Sequence, residues 1–353
     1  MKRLKSALAL VMAFAMVLTL GGCTLNKGTT WIAKSEDVTL PAGVYILNLS
    51  NSYTSAVSVL QQMHTEDAES INVKNLWKNT LDGKSLNDWI TDETKDSVRD
   101  YFAVLQKFNE LGFSFDEADE ALINQEVENY WSENKASYEE TGVSKESIRL
   151  QVESRYRSRI IFDSIYGKGG EKEVSDADLK AHYAENYQHV QYLSVSIKDL
   201  EGDDLQKRKD LVSDAIDRAR SGEDFVSLLK ETEKTLLKES GTAEADLPNR
   251  ADDYFDYTIS ASTESYYPEA MITAAKEMKA NDVKVVTTDD ALILVKKLDP
   301  MADAENFEEN RESILSSMKN DEFLELVSQW SEATEVSFND AAVKRYSAKK
   351  MLG

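Results

Sequence analysis

The amino-acid sequence predicts an α+β protein, in which the N-terminal and C-terminal segments build a mainly helical domain and a smaller α+β unit is inserted between them. Apolar residues recur at three- and four-residue steps before residue 170 and again after residue 300, as in amphipathic helices. Between these stretches the signals run strand, helices, strand and strand, which describes an α+β unit of about a hundred residues. A chain of 353 residues also exceeds what one core usually holds.

The chain begins with the features of a lipoprotein signal peptide. Three cations among the first five residues precede the apolar stretch 7–20, and the junction reads Gly21-Gly22-Cys23. In such a signal the cysteine thiol receives a diacylglycerol. The alternatives are an uncleaved membrane helix and a secretory signal with an incidental cysteine, but the apolar stretch is short for a span of ~20 residues. The sequence therefore predicts a signal peptide over residues 1–22, acylation at Cys23, palmitate included, and a place on the extracytoplasmic face of the cell membrane.

Charge and cysteine content narrow the classes of partner. Cys23 is the only cysteine, so we expect no disulfide and no cysteine metal site in the mature chain. The net charge is −23, and it is about −26 without the signal cations, which makes nucleic acid a poor partner. The acidity either holds the protein off an anionic membrane except through its lipid, or serves only solubility.

The helical domain begins after a short tether. Residues 23–30 are small and polar and predict the tether, and residues 31–33 and 38–40 flank a polar turn, which predicts a hairpin. A helix follows from Pro41, and the acidic residues 64–73 predict a loop.

Three more helices are predicted before residue 170. Ser85 begins the first, which Gly112 ends, and the second ends at Gly142. The third follows Ser144 and stops at the glycine-rich residues 167–170. Aromatic residues at helical spacing are typical of a core rather than of a ligand site.

The inserted unit shows both helix and strand signals. Residues 190–197 alternate and are rich in β-branched side chains, which predicts a strand. The other predicted parts are, in order, a short helix at 174–187, helices around 211–219 and 225–229, a loop at 239–264, a helix at 268–278, and strands at 283–286 and 291–295.

An apolar stripe then returns after Pro300, and a last short strand is predicted at 335–338. The stripe consists of Phe307, Ile314, Leu315, Met318, Phe323, Leu324, Leu326, Val327 and Trp330. Such a helix needs a partner, and the helical domain before residue 170 is the expected one. The predicted domains are the signal 1–22, the tether 23–30, the helical domain 31–172 completed by 300–340, the inserted unit 173–299, and a tail at 341–353.

This order of parts resembles PrsA-type foldases and their SurA relatives, which are extracytoplasmic chaperones with a parvulin-type (PpiC) peptidyl-prolyl isomerase domain. The resemblance covers nearly the whole mature chain. It is carried by the lipoprotein junction, Tyr166-Gly167-Lys168-Gly169-Gly170, the linker Val174-Ser175-Asp176, and the residues 215–225, which are similar to a parvulin helix pair. It implies a SurA-N/PrsA-like helical chaperone domain with a parvulin-like insertion.

The resemblance also locates the positions that match a parvulin site, and there the chain departs from the family. These positions are Tyr192, Asp246, Met271, Met278 and Ile293. The family carries histidines where this chain has Tyr192 and Ile293, and its glycine-rich turn corresponds to residues 244–248, which keep Asp246 and lose every glycine. Lys276 stands in place of an aromatic residue.

Prolyl isomerisation breaks no covalent bond, so an enzyme must lower a rotation barrier of ~18–20 kcal/mol by holding the proline in an apolar cradle beside tuned polar groups. The loss of both histidines removes such groups. We therefore expect a cradle that binds peptide and is catalytically impaired; whether the chain is an enzyme stays open.

Six apolar residues of the inserted unit are candidate contacts for unfolded client chains: Tyr254, Phe255, Tyr257, Tyr266, Tyr267 and Met271. Clustered apolar side chains commonly mark partner sites, but the same residues would serve equally as buried core.

Other sites find little support in the sequence. His182 and His189 lie near Asp178 and Glu185, but solvated surface histidines fit better than metal ligands, and His64 lies in an acidic loop. No motif of a hydrolase, nucleotide-binding protein or zinc protease is present, and we expect no cofactor and no metal.

The predicted function is that of a membrane-anchored chaperone or foldase whose partners are unfolded or nascent exported polypeptides, with the membrane contacted through Cys23. The alternatives are an active peptidyl-prolyl isomerase of the PrsA type and, less favoured, a scaffold or solute-binding lipoprotein.

Overall fold

In the computed structural model of the protein, residues 30–36, 38–63, 73–302 and 304–353 are described, and the chain divides into two units. The helical unit takes in the described residues up to Glu171 together with Asp321–Gly353, and the inserted unit is Lys172–Asn320. The second division lies inside a helix, later than the boundary that the sequence predicts at residue 299.

The first part of the helical unit contains β1 (Trp31–Ser35), β2 (Val38–Pro41), α1 (Ala42–Met63), α2 (Val73–Leu76), β3 (Thr80–Leu81), β4 (Lys84–Ser85), α3 (Leu86–Glu110), α4 (Glu117–Thr141) and α5 (Lys145–Tyr166). The predicted hairpin is confirmed, because β1 pairs with β2 antiparallel. The predicted loop at 64–73 lies almost wholly outside the described residues.

Side-chain caps lie at the starts of α3 and α4, two of the long helices. The Ser85 hydroxyl accepts from Asp88 N at 3.2 Å at the start of α3. Asp116 and Asp119 form a reciprocal capping box at α4. Gly142, at φ 86°, ends that helix in the left-handed conformation that glycine adopts without strain.

The inserted unit contains α6 (Asp176–Asn186), β5 (Gln188–Ser196), α7 (Gly202–Arg220), α8 (Phe225–Glu239), β6 (Asp256–Ile259), α9 (Glu269–Glu277), β7 (Val283–Thr287) and β8 (Ala291–Lys297). Its sheet has the order β6-β5-β8-β7, and every pair is antiparallel. α7 and α8 cover one face, where Val195, Ile216 and Leu229 are buried, and α9 covers the other.

The prediction of loop at 239–264 is wrong for part of this range. The segment contains β6 and two short 3-10 turns, Glu244–Asp246 and Asp252–Phe255, and a third turn, Glu264–Tyr266, begins at its last residue. β6 pairs with β5 in the register Val190 to Tyr257. Only Ile259 of its four residues is buried, so the strand has no apolar alternation that a sequence pattern could detect.

The apolar stripe after residue 300 forms α10 (Ala304–Ala333), but its partner differs along its length. Phe307 packs against Tyr183 of α6, with ring centroids 5.7 Å apart, inside the inserted unit. Phe323 packs against Phe162 of α5 at 5.4 Å, inside the helical unit. The helical domain is therefore the partner of the second half only.

The end of the chain is folded rather than a tail. β9 (Ser337–Phe338) pairs with β1, and α11 (Asp340–Arg345) and α12 (Ala348–Met351) follow. The buried residues of these two helices join the core of the helical unit; they are Ala342, Val343, Tyr346 and Ala348. The prediction of a tail at 341–353 is therefore wrong, because short helices carry too few apolar positions to show a period.

Among the described residues, none of the helices is both long and apolar enough to span a membrane. Residues 1–29, with the predicted signal peptide and Cys23, lie outside the described residues.

Candidate functional site

One face of the inserted sheet carries three tyrosines in mutual contact. Tyr192 of β5 lies 4.8 Å from Tyr257 of β6 and 6.2 Å from Tyr267, measured between ring centroids, and Tyr257 lies 5.8 Å from Tyr267. All three are half-buried. We call Tyr192, Tyr257 and Tyr267 the tyrosine cluster. Its rings meet tilted or edge to face, the arrangements that aromatic quadrupoles favour.

An apolar floor lies beside the tyrosine cluster. Met271 and Met278 from the α9 region and Ile293 from β8 are buried in one cluster with Val190 and Val295. Tyr192 and Tyr257 pack against it. Methionine side chains adapt to irregular shapes, so such a floor tolerates occupants of different size.

Two of the positions that the sequence relates to a parvulin site meet on this face. In the β5–β8 register Tyr192 pairs with Val295 and Ser194 with Ile293, so Tyr192 and Ile293 lie on one side of the sheet, one step apart. Burial raises the pKa of Tyr192 to about 12, with smaller contributions from Tyr257 and Tyr267. The phenol is therefore neutral at physiological pH, and Ile293 offers no polar atom.

The other positions that match a parvulin site do not all lie on this face. Met271 and Met278 belong to the floor, whereas Asp246 lies exposed on the turn Glu244–Asp246. Among the described residues the Asp246 carboxylate makes no hydrogen bond and no ion pair. Lys276 turns outward and pairs with Glu264 at 2.6 Å. The structure thus brings four of the five positions together and leaves out the acidic one.

The six candidate client contacts separate by exposure. Tyr266 is 80% exposed and Tyr254 is 44% exposed, and Tyr257 and Tyr267 are half-buried. Phe255 and Met271 lie in the two cores of the unit, at 2% and 0% exposed. The expectation of an exposed contact is wrong for Phe255 and Met271, since Phe255 is buried in the core under α8 and Met271, a residue of α9, is buried between α9 and the sheet. For these two residues the alternative of buried core holds.

His189 is not a solvated surface residue. It is buried at the start of β5, where its Nε2 lies 3.3 Å from Asp256 Oδ1 and its Nδ1 lies 3.5 Å from Asn306 Nδ2. Asn306 also exchanges hydrogen bonds with Thr258 at 3.1 and 3.2 Å and accepts one from Asn310 at 2.9 Å. We call these five residues the His189 network. Strand alternation places it on the face opposite Tyr192.

The other histidines offer no site. His182 is half-buried, and its ring nitrogens lie 3.0 Å from Ser317 Oγ and 3.2 Å from Asn186 Nδ2. His64 lies outside the described residues. Within the described ranges no three histidine, cysteine or acidic side chains are grouped to hold a metal.

A cleft of about 430 Å³ lies away from the tyrosine cluster. Gly222, Asp224, Phe225, Val283 and Lys296 are among the residues that line it. Phe225 and Val283 belong to the core under α7 and α8, so this cleft opens on the other side of the sheet. It therefore has no part in the candidate site.

The sequence interpretation missed Ser194, Asp256 and Asn306. Ser194 is exposed on the face of the tyrosine cluster, and the other two hold His189. Alternation along 190–197 could have placed Ser194, whereas Asn306 is 117 positions from His189 and gives no local signal.

Fold and site together define an α+β protein whose inserted antiparallel unit presents an open tyrosine face over an apolar floor. No protein-family model matches the chain, and no curated protein matches it.

Solved structures do show likenesses. The chain is similar to foldase protein PrsA from Streptococcus pneumoniae str. Canada MDR_19A, with 14% identity, 75% of this chain and 96% of that chain covered, and a TM-score of 0.36. Foldase protein (PrsA) from Lactococcus lactis shows 12% identity, 90% and 100% coverage and a TM-score of 0.35. PrsA from Bacillus subtilis shows 16% identity, 76% and 87% coverage and a TM-score of 0.29. At these identities and TM-scores the likeness carries no function or residue role over to this chain.

Proposed function

We propose that this protein is a membrane-anchored extracytoplasmic chaperone or foldase that holds unfolded exported polypeptides, and that its inserted unit has a parvulin-like site with impaired catalysis. The observation that carries the proposal is the tyrosine cluster beside its buried floor, with Tyr192 and Ile293 at the positions where the resemblance leads us to expect histidines.

The tyrosine cluster is suited to hold apolar side chains of a peptide. Its rings are half-buried, so an entering proline or aliphatic residue removes further apolar surface from water. Exposed Tyr266 and Tyr254 extend the aromatic surface on the same stretch of chain. Aromatic side chains supply contact area with little loss of side-chain freedom.

Catalysis of rotation needs more than a cradle. It needs polar groups that interact more strongly with the twisted amide than with the planar one. Tyr192 is a neutral phenol and Ile293 is a hydrocarbon, while His189 is engaged with Asp256 and Asn306 on the opposite face. These assignments support binding without efficient turnover.

The test uses the chain from Thr24, which keeps every described residue. We expect at least ~10²-fold less acceleration of cis/trans exchange in a proline tetrapeptide than an intact parvulin gives. The same protein should slow the aggregation of an unfolded test protein. Robust isomerase turnover that Tyr192→Phe abolishes would make the protein an enzyme of the PrsA type. If the protein does not suppress aggregation at any ratio to the test protein, the chaperone function is refuted. A scaffold or solute-binding lipoprotein is then favoured.

A double variant locates the binding surface. Tyr257→Ala with Tyr267→Ala should lower the affinity for an unfolded proline-containing peptide by about tenfold or more, since each truncation removes a large apolar contact. Tyr130→Ala, at an exposed tyrosine of the helical unit, is the matched control and should leave that affinity within about twofold. If both variants lose the same amount of peptide affinity, the tyrosine cluster is not the binding site.

The anchor is tested separately, since Cys23 lies outside the described residues. Cys23→Ala should move the protein from the membrane fraction to the soluble or unprocessed pool. Unchanged membrane fractionation of a processed mutant would contradict lipid attachment at Cys23.

A further inference from the structure

The last residues of the chain, 340–353, are fixed on the helical unit; we call them the C-terminal segment. Its buried side chains join the core of that unit. Asn339, just before it, donates its backbone N–H to Ile32 O of β1 at 2.9 Å. Lys349 N donates to Asn87 Oδ1 of α3 at 3.0 Å. The charged side chains of the segment are therefore held on a surface of defined shape.

The C-terminal segment is basic, whereas the chain as a whole is acidic. Lys344, Arg345, Lys349 and Lys350 are all exposed, and Asp340 is its only acidic residue. Within the described part of the chain none of the four cations forms an ion pair. The Lys350 ammonium donates to the backbone oxygen of Lys344 at 2.7 Å. The chain as a whole carries −23, so this surface is unlike the rest.

The elements that pack near the segment bring both signs of charge. Their cations are Lys34 on β1 and Lys95 and Arg99 on α3, and the latter two lie 5.5 and 5.3 Å from the Phe338 ring of β9. Their acids are Glu36 after β1, Asp88, Asp92, Glu93, Asp96 and Asp100 on α3, Glu110 at the end of α3, where it pairs with Lys107, and Glu335 before β9. Asp92 and Asp96 are paired, with Lys84 and Arg99 respectively. The neighbouring elements carry more acids than cations, so the positive charge of this region is confined to the C-terminal segment itself.

The segment also lies next to the predicted membrane attachment. β9, which directly precedes α11, pairs with β1, and β1 begins at Trp31. Because an extended chain spans at most ~3.3–3.6 Å per residue, a lipid at Cys23 would hold the start of β1 within about 30 Å of the bilayer. The neighbours of β1 are thus within reach of the membrane.

We propose that the C-terminal segment docks on an anionic phospholipid bilayer through Lys344, Arg345, Lys349 and Lys350. Clusters of four or more Lys and Arg beside an anchor are attracted by anionic headgroups over about one Debye length. At physiological salt that length is about 8 Å, so the acidic remainder of the molecule is largely screened from the same surface. The docking rests on the proposed anchor for its placement, but its charge chemistry does not depend on the lipid.

The test measures cosedimentation of the unanchored chain from Thr24 with phosphatidylcholine vesicles that do or do not contain phosphatidylglycerol. Binding should require phosphatidylglycerol and weaken as salt rises. Replacing all four cations by Gln should lower it by about 600-fold, since each cation near such a surface contributes about fivefold. The matched control replaces Lys198, Lys209, Lys234 and Lys279, which are exposed on the inserted unit, and should leave binding within about twofold.

Three outcomes would overturn the proposal: equal binding to both vesicles, equal losses in the two quadruple variants, or tighter binding to a soluble polyanion than to any vesicle. If the first quadruple variant fails to fold, Lys344→Gln with Arg345→Gln and Lys349→Gln with Lys350→Gln, made separately, should each lose ~10-fold or more. Neither the aggregation assay nor the fractionation of Cys23→Ala depends on these cations, so failure here is distinct from failure of the proposed function.

Discussion

Lys297 is buried at the end of β8, where its ammonium group donates to Gln188 Oε1 of β5. Burial lowers the pKa of Lys297 below its ordinary value of 10.5. The folded state therefore resists protonation of this amine more than the unfolded state does. By register Lys297 lies opposite Val190, on the same side of the sheet as the tyrosine cluster.

The first prediction concerns this buried amine. Between the lowered folded pKa and about 10.5 the unfolded state binds more protons at Lys297, so the free energy of unfolding gains from rising pH. The free energy of unfolding of the wild type should therefore rise relative to that of Lys297→Met as the pH rises towards 10.5. Urea unfolding followed by circular dichroism measures it, and Lys296→Met, which is only half-buried, is the control. A difference that stays constant with pH would contradict the buried charge.

The second prediction concerns the His189 network. Asn306→Ala leaves His189 and Thr258 without their shared partner, while Asn310 keeps its hydrogen bond to the backbone oxygen of residue 306. The change should lower the free energy of unfolding by about 2 kcal/mol. Hydrogen exchange of the β5 amides, in the chain that begins at Thr24, measures this change in the free energy of unfolding. Glu309→Ala, at an exposed residue of the same helix, should change it by less than about 0.5 kcal/mol. Similar effects of both variants would show that the network adds no stability.

Residue positions on the sheet face could be predicted only in part from the sequence. Alternation places Tyr192 correctly, and the two histidine positions that the resemblance names, Tyr192 and Ile293, lie on one side of the sheet. The burial of His189 could not be predicted, because Asp256 and Asn306 reach it from distant parts of the chain.

At the scale of elements, a helix can be predicted from the sequence where a capping residue precedes a long apolar stripe. α3, α4 and α5 each have a capping side chain before a long apolar stripe, and each was predictable. β6 and the two C-terminal helices were not, because each spans at most six residues and depends on partners supplied by the rest of the fold.

The third prediction tests whether α11 completes the helical core. Tyr346→Ala removes a side chain that is 6% exposed in that core and should cost about 3 kcal/mol of unfolding free energy. Arg345→Ala, at the exposed neighbour, should change it by less than about 0.5 kcal/mol. Tryptophan fluorescence is the measurement, because all five tryptophans of the chain belong to the helical unit. If Tyr346→Ala does not shift the unfolding transition that tryptophan fluorescence reports, α11 does not contribute to the stability of that core.

At the scale of the whole molecule, the arrangement of segments could be predicted, but the second boundary could not. Sequence patterns separate helix from strand, yet α10 is one continuous helix whose two halves serve different cores. Its apolar stripe gives no sign of the change of partner near Asn320.

The fourth prediction follows from that boundary. The isolated fragment 172–320 should fold and unfold cooperatively, whereas 174–299, which lacks buried Phe307 and Ile314, should be less stable by ~3 kcal/mol or more. Urea unfolding of both fragments by circular dichroism measures this. Equal midpoints and slopes would place the boundary back at residue 299.

The pairing of β1 with β9 has a consequence for the order in which the chain folds. Ser35 Oγ donates to Glu335 O across 300 positions, and the core they flank also needs Ala348. A chain synthesised from its N-terminus presents Glu335 and Ala348 only near its end, while residues 172–320 emerge as one uninterrupted stretch. Contacts of such sequence separation form slowly, since loop closure must precede them. We therefore expect the helical unit to close after the inserted unit has formed.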